Sequence, residues 1–198
     1  MVDAILEAMA MAALARRIEA AQQRLSAIYR LELSLHACDF VLSAEAARAL
    51  SPGWRPHTSL LALEERGNLW LGLYFARRDA ADPAAILEET SHWLAVVWHA
   101  AQARPVSALA LELQADVDRY AVARTQRARD PLRHFARLRL RAGLPREQQL
   151  RYRTAHTAAF RYCRSLERRF PGRCDLPDLL RELRGFYRRS PAYKLAAA

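Results

Sequence analysis

The sequence predicts a mainly helical α+β domain that carries one small β-hairpin. Three observations lead to it. Glycine is sparse, 6 residues in 198, and a loop-rich all-β fold would need more. Apolar residues make up 52% of the chain, enough for a real core and too many for general disorder. Apolar positions recur at helical spacing along most of the length, and strand-like runs stand out in one place.

The elements follow in order. Residues 3–34 read as a long helix, with Ile5, Met9, Ala12, Ile18, Ala21, Leu25, Ile28 and Leu31 at roughly helical spacing. Residues 35–50 read as a second, short helix, closed by Ser51-Pro52-Gly53. The runs 59–63 and 69–75 form the hairpin, and Glu64-Glu65-Arg66-Gly67-Asn68 supplies its turn. Asp82-Pro83 opens a helix, Asp as the capping residue and Pro at the first helical position, running to about Gln102. Arg104-Pro105 breaks it and starts another, to about Arg127. Beyond Asp130-Pro131 the chain is Arg-rich, with helices expected over about 131–141, 146–170 and 176–189.

The positive charge is concentrated late. Residues 1–120 hold 11 arginines against 15 acids, whereas 121–198 hold 19 arginines and Lys194 against 6 acids. Arginine in place of lysine throughout also suits a GC-rich genome, which explains part of the excess. Lys194, the chain's one lysine, lies in Lys194-Leu195-Ala196-Ala197-Ala198, which reads as an expression-vector scar. The expected division is therefore 1–125 as core, 126–193 as an Arg-rich helical extension packed on it, and 194–198 as a vector-derived tail. Cys38, Cys163 and Cys174 form neither a disulfide framework nor a zinc ribbon and read as reduced, buried packing residues. No signal peptide or membrane-spanning run is legible, so the expectation is a cytoplasmic protein without membrane contact.

The chemistry concentrates in Glu88-Glu89-Thr90-Ser91-His92, followed twenty residues after His92 by Glu112-Leu113-Gln114-Ala115-Asp116. At about 100° per residue, Glu88, His92 and His99 share a helix face among small neighbours, Ala85, Ala95 and Ala103. Ile86, Trp93, Leu94, Val97 and Trp98 form the opposite, core side. On the next helix Glu112 and Asp116 lie one turn apart beside Val106, Leu109, Leu113, Val117 and Tyr120. Ser107, Gln114 and Asp118 fall on the far side, expected to face water. Carboxylates beside an apolar sector need partners. A metal between the two helices would supply one.

These residues resemble the metal-site helices of the gluzincins, a branch of the zincin metallopeptidases. Residues 88–92 resemble the HExxH helix with its first His replaced by Glu88. Residues 112–116 resemble the helix that brings the third ligand, in the minigluzincin pattern ExxAD. The order, the spacing and the preceding hairpin agree with that fold over about residues 58–125. The resemblance implies a zincin-like core, a divalent metal held by Glu88, His92 and Glu112, and Glu89 as general base. It implies Asp116 as the carboxylate behind the ligands that orients one of them, and a peptide or protein substrate. His99 reads as packing or as a further residue behind the ligands. Zinc is the first expectation. Two carboxylates beside one imidazole move the preference towards manganese or iron and make the metal a poorer Lewis acid, so the peptidase is expected weakened or inactive.

Blander readings exist for the same residues. Glu88 and Glu89 suit a helix N-terminal region, His92 suits a satisfied core histidine, and Glu112 and Asp116 could pair with Arg119 or Arg104. His156, Tyr120 and Tyr152 are candidate oxyanion donors. A ferritin-like metal protein would need a second ExxH, which is missing. Nucleic-acid binding by the basic C-terminal part is disfavoured, since its arginines are spaced as on solvated helix faces and no binding motif is present.

Overall fold

The computed structural model describes residues 2–136, 138, 140 and 143–197. It is 63% helical, with one two-stranded antiparallel sheet, so the fold is mainly helical α+β. The elements are α1 (Val2–Tyr29), α2 (Ala44–Leu50), β1 (Ser59–Glu65), β2 (Asn68–Tyr74), α3 (Pro83–Ala100), α4 (Ala108–Thr125), α5 (Arg146–Arg169), α6 (Leu176–Tyr187) and α7 (Pro191–Ala197).

The long first helix stops at Tyr29, short of residue 34. Arg30 takes a left-handed backbone with φ 53°, and the Leu31 amide donates back to the Ser26 carbonyl at 3.0 Å. That is a Schellman end, which releases the chain sideways and stops the helix. Two arginines of α6 complete it: Arg184 Nε donates to the Ile28 carbonyl and Arg188 to the Tyr29 carbonyl, at 2.8 and 2.9 Å. Burial along α1 begins at Leu14, so Ile5 and Met9 of the expected stripe are exposed.

Residues 35–50 are not one helix. A 3-10 turn over Ala37–Phe40 precedes Val41, which bridges to Leu73, and α2 then starts under a Ser43 cap. Edge pairing with β2 wins over helix continuation there. The hairpin pairs Ser59 with Tyr74 through Glu65 with Asn68, around a tight turn at Arg66-Gly67. Because Val41 and Leu42 lie along β2, the edge of β1 away from β2 has no strand partner among the described residues.

Asp82 caps α3, its carboxylate accepting from the Ala84 amide at 2.9 Å. The next helix begins at Ala108 under Ser107, three residues later than the proline break suggests. The helix expected over 131–141 is only a 3-10 turn at Arg133–Ala136, and Arg137, Arg139, Arg141 and Ala142 lie outside the described residues. α5 lays Ala155, Ala159, Cys163 and Leu166 against α4 and turns Arg153, Arg161, Arg164 and Arg168 outwards. One core runs through both halves of the chain, from Ile18 and Trp93 to Leu166 and Leu183, with Trp98 only partly buried at its margin.

Residues 194–198, read as an appended tail, begin within α7, and Lys194 is buried at 3% exposure. Gln114 and Asp118, expected in water, are 1% exposed. The segment after α6 folds back over that face of α4. No described helix is long and apolar enough to cross a membrane.

Gly72 sets how closely the hairpin meets the Val41–Leu42 segment. A Cβ there would overlap the Leu42 side chain and touch Leu50 Cδ2 at 3.4 Å. Gly72→Val should lower unfolding free energy by about 1–3 kcal/mol, read from urea midpoints. Adding Leu42→Ala should return part of that loss.

Candidate metal centre

α3 lies between α1, α4 and the hairpin, and every residue from Glu89 to Val97 is buried. Polar side chains in such a helix need partners inside the protein. Those on one face gather with Glu112 of α4 in the Glu88, His92 and Glu112 group. One potential ligand atom from each of these three residues lies within 4.8 Å of the others.

His92 Nε2 is 3.6 Å from Glu112 Oε2, and His92 Nδ1 is 3.6 Å from Glu89 Oε2. Neither distance is a hydrogen bond. His92 Nε2 and Glu89 Oε2 are buried atoms without a hydrogen-bond partner. Glu88 is held by Arg119, and Glu112 Oε1 lies 3.6 Å from Arg151. Glu89 has no arginine against it among the described ion pairs.

Burial opposes an imidazolium at His92, but Glu89, Glu112 and Glu88 outweigh it and raise its pKa to about 9. Burial raises Glu112 to about 7, the charge of His92 partly opposing it. Burial also raises Glu88, against Arg119. The group therefore carries crowded carboxylates that a central cation relieves.

Asp116 does not touch Glu88, His92 or Glu112. Its carboxylate meets His156 Nδ1 at 2.8 Å and Arg119 at 3.5 Å, so it reaches Glu88 only through Arg119. The other nitrogen of His156 faces the Phe135 carbonyl at 3.3 Å. Both its partners are acceptors, which suits the doubly protonated ring, and Asp116 raises its pKa. His134 reaches the backbone carbonyl of Asp116 at 3.1 Å.

His99 points elsewhere. It packs edge-on to Trp98, and burial, then Lys194 and Arg104, lower its pKa to about 4. Tyr120 donates to Glu167 at 2.7 Å, away from the group. Tyr152 lies beside it, and burial, then Glu112 and Glu88, push its phenol well up.

The group opens into a cleft of about 1550 Å³ lined by β1 residues Ser59, Leu60 and Ala62 on one side and by Arg151 and Tyr152 of α5 on another. Arg119 could be suspected from its spacing to Asp116. Arg151 and the His156 contact had no signal, because α5 reaches α4 only through tertiary packing. In comparisons with family models, curated proteins and solved structures, nothing matches this chain, so its chemistry is read from its own residues.

A stability test follows from His92. Unfolded, it titrates near 6.5, and in the metal-free fold at about 9. Its stabilisation is full below pH 6.5 and lost as pH rises through 9. Glu112 acts in the same sense between 4.5 and about 7. In chelator-treated protein the urea midpoint should fall from pH 6.5 to 9, and His92→Gln should remove most of that slope. A flat midpoint in the parent would place a neutral imidazole at His92.

Proposed function

We propose that this chain is a zincin-type metal protein, with a divalent cation held by Glu88, His92 and Glu112 and a peptide laid along β1. The observation that carries this is the convergence of two carboxylates and one imidazole within 4.8 Å. The bare His92 Nε2 beside Glu112 fits a metal ligand better than a satisfied core histidine. A divalent metal held by Glu88, His92 and Glu112 would supply Lewis-acid chemistry for a carbonyl and a water. Zinc takes this donor set, and its two carboxylates also admit manganese or iron.

The chain's own residues supply the rest. The open edge of β1 offers backbone groups to an extended peptide at the mouth of the cleft. Tyr152 stays a neutral phenol and can donate to a developing oxyanion. Glu89 takes a proton from water and returns it to the leaving amine nitrogen. Arg119 and Arg151 hold the Glu88 and Glu112 carboxylates, and Asp116 with His156 holds Arg119.

The position of Glu89 favours a second reading. It sits at Nδ1 of His92, where a carboxylate fixes the ring so that Nε2 faces a metal. A metal protein without peptidase activity would use Glu89 in that way alone. Glu89→Gln separates the two. As a base, its loss should cut peptide hydrolysis at least about 100-fold with zinc affinity unchanged. As a positioning residue, its loss should weaken zinc binding about 10–100-fold.

Metal analysis of the purified protein should find one equivalent per chain, lost in His92→Ala. Glu88→His should bind zinc at least about tenfold more tightly, because the ligands then leave a positive charge on the metal unit. Arg119 would then keep Asp116 as its carboxylate partner. Unchanged zinc affinity in a folded Glu88→His chain would show that position 88 does not face the metal.

A further inference from the structure

The same two helices bury a second polar cluster on the side away from the cleft. Asp118 is 1% exposed and accepts three hydrogen bonds: from Tyr29 at 2.5 Å, Ser91 at 2.6 Å and Gln114 Nε2 at 2.7 Å. With its amide nitrogen committed to Asp118, Gln114 must aim Oε1 the other way. Lys194 Nζ meets that oxygen at 2.8 Å. The ammonium also lies 5.1 Å from the centre of the Tyr187 ring and 5.5 Å from that of Phe186, within cation–π range. Tyr187 is itself fixed by stacking on Tyr29 at 4.3 Å.

We propose that Gln114, Asp118, Phe186 and Tyr187 form a binding pocket for a primary ammonium on an alkyl stem, filled here by Lys194 standing in for the amine of another molecule. Three features define the ligand. A buried carboxylate calls for a positive charge nearby. An amide oxygen and two ring faces suit a compact ammonium on a narrow stem, whereas a guanidinium would bring a broad planar fork. The occupant is the chain's one lysine among thirty arginines.

Lys194 lies in α7, the last helix. Gln114 and Asp118, by contrast, lie inside α4, and Tyr187 ends α6. The pocket's walls therefore come from other helices than its occupant does. The chemistry is that of a lysine side chain or an alkylamine. The occupant can come from the chain's own tail or from another molecule, and the test separates these sources. The metal reading is not involved.

The test uses the full chain with Lys194→Ala. This variant should melt several degrees lower. n-Butylammonium should restore its melting temperature saturably, at about millimolar concentration for so small a ligand. N-α-acetyl-lysine amide should do the same, which identifies a lysine from another molecule as an acceptable occupant. The parent should not respond to either, because Lys194 fills the pocket. Butan-1-ol and guanidinium should have no effect, and Asp118→Asn in the Lys194→Ala chain should weaken n-butylammonium at least about tenfold.

A folded Lys194→Ala chain that binds no ammonium overturns the proposal. Equal stabilisation by butan-1-ol also overturns it, since the pocket would then be merely apolar. Should Lys194→Ala not fold, the parent decides through acylation of its one lysine. Lys194 reacting at least about 100-fold more slowly than N-α-acetyl-lysine amide supports the pocket, and any smaller protection overturns it.

Discussion

The burial of α3 is the constraint on which the rest of the structure depends. From Glu89 to Val97 the helix has no exposed face, yet it carries Glu89, Ser91 and His92 in that stretch and Glu88 at its margin. An ion in such a place costs several kcal/mol unless it is paired. α4 supplies partners on both sides of the contact, Glu112 and Arg119 towards the cleft and Gln114 and Asp118 away from it. Trp93, Leu94, Leu113 and Val117 of the same two helices belong to the hydrophobic core. The pairing of α3 with α4 is thus fixed by charge as well as by apolar area.

The later helices complete that arrangement. α5 covers α4 with small residues, which lets Arg151 and His156 come close to Glu112 and Asp116. α6 reaches back to α1, where Arg184 and Arg188 take the carbonyls that the end of the helix leaves open. The arginine excess is therefore of two kinds. Some arginines face solvent, as Arg153, Arg161, Arg164 and Arg168 do. Others, Arg119, Arg124, Arg184 and Arg188, hold carboxylates or helix ends. A count of charge along the sequence treats both alike.

On the cleft side the electrostatics are unbalanced in a way that suits a cation. Three glutamates surround one imidazole, while Arg119 and Arg151 approach from the rim. The arginines hold the outer oxygens and leave His92 Nε2 bare. On the other side the balance is closed: Asp118 has its three donors, and an ammonium sits against the Gln114 oxygen. One helix pair thus offers two polar sites of different character, set by which rows of α3 and α4 face each other.

By itself the sequence determined the helical class, the hairpin, the cap of α3, and the residues able to meet at Glu88, His92 and Glu112. These depend on local spacing: one turn of helix, an Asp before it, a Gly in a tight turn. Helix-wheel reasoning went wrong where a third element intervened. Gln114 and Asp118 lie on the polar side of α4 taken alone, and the Tyr29 and Ser91 hydroxyls and the segment after α6 bury them. His99 shares the face of His92 on the wheel, yet it packs edge-on to Trp98 and does not line the cleft. Asp116 found His156, forty positions later, in place of Glu88, His92 or Glu112. Only the tertiary structure could decide these partners, because a buried polar group takes whichever donor or counter-charge the packing brings within reach, and separation along the chain does not encode that reach.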